Sequence, residues 1–226
     1  MEEEKEPKRR RRNKKQDFNK LLKDDDDNDN EKNKARSVIL FCSTCERTAH
    51  FSQLLSQLHI SNLPLHSLMS QPQRYASLAQ FKSRHVPILV STDVASRGLD
   101  IPTVDLVLNI ELPLKPIDYI HRVGRTARAG RRGRAISFIA ETDVQILHSI
   151  ESLTKIKLKE CSDVNEKEHV IPLLNTVSKA SRMAKMKLLD MGFDELAQKV
   201  KERKRGEKKA REKIRGLVRK HLLKDS

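Results

Sequence analysis

Pro87-Ile-Leu-Val-Ser-Thr-Asp-Val-Ala-Ser-Arg-Gly-Leu-Asp-Ile-Pro102 joins two segments of opposite character. Ile88, Leu89 and Val90 form a short apolar run without polar alternation, the pattern of a strand buried on both faces. The polar stretch that follows at once carries hydroxyls, a guanidinium, carboxylates and a backbone loosened by Gly98. Apolar run and polar follower recur on both sides. Upstream, Val38-Ile-Leu-Phe41 leads into Ser43-Thr-Cys-Glu46, whose capping-box spacing predicts a helix through Phe51, Leu54, Leu55 and Leu58. A second strand is predicted over Leu63 to Leu68, and Ser70 with Gln73 predicts the cap of a helix through Leu78 and Phe81. Downstream, Val104 to Ile110 reads as the fourth strand, and Pro116 as the first turn of a helix to Val123. Ala135 to Ile139 reads as the fifth, followed by a helix through Ile146, Leu147, Ile150 and Leu153 capped by Thr142 and Gln145. Strand and helix thus alternate five times at short spacing, which predicts an α/β fold: a doubly wound parallel sheet with helices on both faces. In such sheets ligands bind beyond the carboxyl ends of the strands. The unusual residues of this chain all follow strand ends.

The flanks are too polar to join that core. The 226 residues are 37% hydrophobic and 34% charged, lack Trp, and carry a net charge of +15. Residues 1–36 are expected to form a disordered charged arm, because the basic block Lys8 to Lys15 and the acidic run Asp24 to Asp27 bury nothing. The basic block reads as a nuclear localisation signal, with a solvated arm and an RNA-binding arm as alternatives. Residues 37–160 form the expected domain, and residues 161–226 a basic, mostly helical extension. Within it Met183, Met186, Leu188, Leu189 and Met191 are expected on one helix face, and Gly192 interrupts. Residues 179–226 hold seventeen basic and seven acidic side chains, a net of +10. The very basic helical stretch from Gly192 to about Leu223 is either docked by a thin apolar stripe or ordered only on a partner. A basic excess of this size points to a polyanion, nucleic acid foremost. Without a run of about 18 apolar residues or a charged-then-apolar leader, the chain reads as soluble and intracellular, with no membrane partner.

Cys42, Cys45 and Cys161 are an odd number, and disulfides are not expected. Cys42-x-x-Cys45 has the spacing of a redox pair but equally that of small core residues. No second Cys/His pair completes a zinc site.

The densest chemistry lies in Tyr119-Ile-His-Arg-Val-Gly-Arg-Thr-Ala-Arg-Ala-Gly130. Arg122, Arg125 and Arg128 recur every three residues, a spacing that puts guanidiniums on one side of a turn or short helix. Arginine suits phosphate because its planar fork donates two parallel hydrogen bonds. Ser91 to Pro102 suits a phosphodiester backbone together with a ribose hydroxyl.

These stretches resemble DEAD-box RNA helicases. Val94 to Asp100 is similar to motif V and His121 to Arg128 to motif VI, while Phe41-Cys-Ser-Thr44 resembles motif IV and Gln71 with Arg74 motif IVa. His121 distinguishes the branch, since DEAH-type and RecQ-type relatives carry Gln there. Ile101-Pro-Thr-Val and Tyr119-Ile-His-Arg-Val look most like the subfamily serving small ribosomal subunit assembly. The resemblance implies a RecA-like C-terminal helicase domain that closes on ATP and Mg²⁺ held by an N-terminal partner domain. It implies Arg125 and Arg128 as arginine fingers on the γ-phosphate and Asp100 at the ATP ribose. Thr44, Gln71, Arg74, Thr92, Arg97 and Gly98 would hold the RNA backbone, and His121 and Arg122 would bridge to the partner domain's acidic motif. Phe41 is expected beneath the finger loop.

The 226 residues contain neither a Gly-x-x-x-x-Gly-Lys-Thr loop nor an Asp-Glu-Ala-Asp sequence. The expectation is that the ATP-holding half is supplied elsewhere and that this chain by itself does not turn over ATP. The partners implied are RNA, pre-rRNA in particular, the N-terminal helicase domain and a protein activator, in the nucleus and nucleolus. The reading from another class is a non-enzymatic RNA-binding or adaptor protein with the same fold, which would have no use for fingers.

Overall fold

Five strands make the sheet of the computed structural model: β1 (Val38–Cys42), β2 (Asn62–Leu65), β3 (Ile88–Thr92), β4 (Leu106–Asn109) and β5 (Arg134–Ser137), in the order β2-β3-β1-β4-β5. The sheet is parallel, with Leu65 opposite Ser91 between β2 and β3, and Asn109 opposite Ser137 between β4 and β5. The structure describes residues 37–126, 133–161, 167 and 170–222; the charged arm and Arg128 lie outside them. Between and after the strands run α1 (Cys45–Gln57), α2 (Gln71–Lys82), α3 (Asp93–Ser96), α4 (Pro116–Val123), α5 (Val144–Thr154), α6 (Leu174–Asp190) and α7 (Phe193–Leu222). Two compact units result, one containing Ile39–Ile101 with the C-terminal helices, the other containing Pro102–Cys161.

In the first unit Ile39, Phe41, Leu65, Leu89 and Val90 are buried, as their uninterrupted apolar runs require. Strand β3 runs two residues further than its apolar run, through Ser91 and Thr92. Both hydroxyls are buried, and Ser91 Oγ donates to the Leu65 carbonyl of the neighbouring strand at 3.3 Å. A satisfied hydroxyl can sit in a core where an unsatisfied one would cost stability. Strand β2 stops at Leu65 rather than Leu68, because the chain turns and the Met69 N–H reaches the His66 carbonyl.

Helix starts also differ in detail. Thr44, not Ser43, caps α1: its hydroxyl oxygen accepts from the Arg47 N–H at 3.1 Å. Gln73 closes α2 back onto Ser70, taking the Ser70 N–H at 2.9 Å, as the capping box predicts. The helix after β5 is entered through a 3₁₀ turn, Glu141–Asp143, in which Asp143 accepts from the Ala140 N–H at 3.1 Å. Thr142 and Gln145 therefore do not make the cap.

The extension packs on the first unit. Helix α6 lies against α1, and the buried side chains are small: Ala180 and Ala184 on α6, Thr48, Ala49 and Ser52 on α1. Small residues let helix backbones approach closely, and spacing of four keeps them on one ridge. His50 Nε2 lies 3.2 Å from both the carbonyl and hydroxyl oxygens of Ser181. The expected methionine face points elsewhere, with Met183, Met186 and Leu189 about half to two-thirds exposed (47%, 64% and 51%). At Gly192 the backbone turns left-handed (φ +64°), and Phe193 then sets its ring edge-on to His66 at 5.8 Å.

In the second unit Leu112, Tyr119, Val123 and Ile150 form the core, closed by Ala135, Ile146 and Leu158. No described helix is long and apolar enough to cross a membrane.

Ala184 has no exposed surface, so a larger side chain there must push α6 off α1. Ala184→Leu is expected to cost about 1–3 kcal/mol in urea denaturation. Met186→Ala, on the exposed side, is expected to stay within about 0.5 kcal/mol.

Candidate functional site

In the second unit the arginine-rich segment is held at several points. Arg122, in the last turn of α4, is 2% exposed; its Nη1 donates to Asn109 Oδ1 at 3.2 Å and to the Glu111 carbonyl at 2.6 Å. Asn109, at the end of β4, is fixed in turn by donating Nδ2 to Ser137 Oγ at 2.9 Å. Helix α4 ends at Val123, and the chain leaves it through Gly124. A Cβ there would stand 3.0 Å from the Ile120 carbonyl, so glycine lets the turn close. The Arg125 carbonyl then accepts from the Val104 N–H at 2.9 Å, and Thr126 Oγ1 donates to the Val104 carbonyl at 2.7 Å. Val104 thus bridges to Thr126 rather than joining β4, which begins at Leu106. Arg125 is half-buried on a backbone fixed on both sides.

The structure places Arg122 inside the core, not on a domain-facing surface. His121, beside it, is exposed and lies 3.6 Å from Asp118. Arg128 is not among the described residues.

In the first unit the residues expected to hold RNA follow β1 (Thr44), β2 (Gln71, Arg74) and β3 (Thr92, Arg97, Gly98), and β1 and β3 are neighbours in the sheet. Thr44 is exposed. Its oxygen is occupied as a helix cap, which leaves its O–H free to donate outward. Arg74 donates Nη1 to Gln71 Oε1 at 3.0 Å and Nη2 to the Ala95 carbonyl at 3.1 Å, linking α2 to α3. Its Nε is buried without a partner. Thr92 is 4% exposed and caps α3 by accepting from the Ala95 N–H at 3.3 Å, so its side chain shapes the loop from beneath. Arg97, Gly98 and Asp100 are exposed. Gly98 has φ +72°, a conformation that favours glycine. Asp100 Oδ2 accepts from Lys82 Nζ at 2.7 Å.

Lys82, Asn109 and Thr126 were not legible as site residues. Lys82 and Asp100 are 18 positions apart and meet only because α2 ends beside the loop after β3. The cysteines are free thiols: Cys42 is buried in β1, and Cys45 Sγ lies 3.3 Å from the Ser67 hydroxyl. Among the described residues no three His, Cys, Asp or Glu side chains cluster as a metal site.

The family model described as the helicase conserved C-terminal domain matches residues 13–130. The chain belongs to this family. DEAD-box ATP-dependent RNA helicase 36 of Arabidopsis thaliana is 49% identical over 180 residues, 79% of this chain and 35% of the relative. The ATP-dependent RNA helicase DDX47 of Drosophila melanogaster is 46% identical over 157 residues, 69% of this chain and 30% of the relative. The chain thus spans about a third of the length of these curated relatives. Among solved structures, the E. coli DEAD-box protein SrmB, in complex with regulator of ribonuclease activity A, superposes with a TM-score of 0.54 at 34% identity. That match covers 61% of this chain and 79% of SrmB. The fold is that of the RecA-like C-terminal domain of DEAD-box helicases.

Two features of this helicase domain have measurable consequences. Arg122→Met would strand the acceptors Asn109 Oδ1 and the Glu111 carbonyl, and is expected to lower stability by about 2–4 kcal/mol. His121→Ala, being exposed, is expected to leave the melting temperature nearly unchanged. His66, after β2, is buried with Nδ1 unpartnered, and burial lowers its pKa from 6.5 to about 4. Its neutral form is therefore favoured in the fold. Between about 6.5 and about 4 the unfolded chain takes up a proton that the folded chain refuses, so stability falls as pH drops through that window. The loss is expected to reach about 3 kcal/mol at most and to be abolished in His66→Leu, read from urea midpoints at stepped pH.

Proposed function

We propose that this chain is the closing half of an ATP-dependent RNA helicase. It grips the RNA sugar-phosphate backbone and presents Arg125 and Arg128 to the γ-phosphate of an ATP seated, with Mg²⁺, on an N-terminal domain. The observation that carries the reading is the fixed backbone of Arg125, tied to Val104 and flanked by the buried Arg122. A charge held in place before the reaction stabilises developing negative charge without reorganising. Asp100 meets the ribose, and Lys82 sets the direction of its carboxylate. Thr44, Gln71, Arg74, Arg97 and Gly98 face the RNA backbone, which carries no base information and so supports sequence-independent binding. Thr92 and Arg122, being buried, act by position, while His121 reaches the acidic motif of the partner domain.

We further assign the full protein to small ribosomal subunit assembly in the nucleolus, acting on pre-rRNA with a protein activator. The likeness of Ile101-Pro-Thr-Val and Tyr119-Ile-His-Arg-Val to that subfamily supports this.

The test needs both halves in one polypeptide. Arg125→Ala and Arg128→Ala are each expected to lower RNA-stimulated ATP turnover by about 10³-fold or more, since fingers are worth that in related enzymes. Melting temperatures should not move. Arg128→Lys should fail as well, because an ammonium lacks the bidentate fork. Half-maximal activity in any of these would end the finger role for that residue. The 226-residue chain alone should show no RNA-stimulated turnover, and clear activity in rigorously purified chain would overturn the reading.

A further inference from the structure

The groove between α1 and α6 has no part in that chemistry. It is an open groove of about 790 Å³ within the first unit. Arg47, His50 and Phe51 of α1 line one wall, and Val177, Ser181 and Arg182 of α6 the other. Phe51, Leu54 and Val177 make its apolar floor, and Val177 is 36% exposed. The rim is basic. Among the described lining residues Arg47 and Arg182 stand on opposite walls and Glu46 is the acid, and Lys179 and Lys185 lie on the same helix as Arg182. Helix α6 lies beyond residue 130, where the match to the helicase family model ends, so half of the groove belongs to the extension.

An RNA backbone would match the cations but would leave the apolar strip against phosphates, losing hydration without gain. A helix with an apolar stripe flanked by carboxylates satisfies both features, since the stripe fills the floor and the acids meet the rim. We propose that this groove docks an acidic amphipathic helix of a partner protein. Its apolar residues at helical spacing pack on Phe51 and Val177, and its carboxylates pair with Arg47 and Arg182. The groove lining shares no residue with the candidate RNA contacts and does not depend on the helicase reading.

The 226-residue chain serves as bait for an unbiased displayed library of helical peptides of about twenty residues, long enough for several turns. Selected peptides are then synthesised and titrated by fluorescence anisotropy, with an oligouridine RNA titrated in parallel. The expected binders carry an excess of Asp and Glu and an apolar stripe at i, i+3, i+4 and i+7. Arg182→Glu and Val177→Asp change exposed residues and should keep the melting temperature, yet each should weaken peptide binding about tenfold or more. Arg182→Lys should retain most affinity, and oligouridine binding should not respond to any of the three. The proposal fails if the library yields no binder, or if the binders lack the acidic excess or ignore Arg182→Glu and Val177→Asp. It fails equally if Arg182→Glu costs the RNA as much affinity as the peptide, which would make the groove an RNA surface.

Discussion

Arginine keeps its charge at any accessible pH, so a guanidinium with 2% exposure must find acceptors inside the protein. Arg122 finds them at the end of β4, in Asn109 and the Glu111 carbonyl, and Asn109 is held by Ser137 on β5. The register that sets Asn109 opposite Ser137 thus reaches, through one side chain, into the last turn of α4. Once α4 cannot rotate, the turn after it has one course open. Gly124 allows the chain to pass the Ile120 carbonyl, and Val104 receives it at Arg125 and Thr126. The backbone position of a candidate catalytic arginine is therefore tied to strand pairing.

The first unit divides the work in the same manner. Buried polar groups shape the loops and exposed ones are left to make contacts. Thr92 and Ser91 lie within the sheet layer with their oxygens engaged, while Arg97, Gly98 and Asp100 stand in solvent a few residues on. Arg74 belongs to both groups. Its Nη2 ties α2 to α3, its Nη1 bonds Gln71 on α2 itself, and its Nε remains a buried donor without an acceptor. A native protein seldom leaves such a group, and functional loops are where the exceptions collect.

Apolar runs located β1 and β3, whose residues are mostly buried, because a strand covered on both faces has no room for alternation. The edge strands β2 and β5 are only partly buried, and β5 stops at Ser137, before the exposed Phe138 and Ile139. The errors lie where polar atoms do the packing. The two extra residues of β3 are hydroxyls, and their tolerance depends on a carbonyl of the neighbouring strand that composition does not reveal. Spacing of three placed Arg122, Arg125 and Arg128 on one side. Helix α4 stops at Val123, however, so that periodicity ends between the first two: Arg122 turns inward and Arg125 stands on the turn. Burial separates the exposed residues of these loops from the buried ones that shape them.

The extension shows why hydrophobicity alone misjudges a helix face. Methionines suggested the docking side, yet Ala180 and Ala184 are buried, because close approach to Thr48, Ala49 and Ser52 excludes anything larger. Docking through so narrow a ridge leaves most of α6 uncovered, including Lys179, Arg182 and Lys185 on one hand and Met183 and Met186 on the other. The alanine ridge fixes the helix to α1, and that fixation is what presents its charged and apolar faces in a constant arrangement. A partner meeting a helix already ordered loses less conformational entropy on binding than one that must order it.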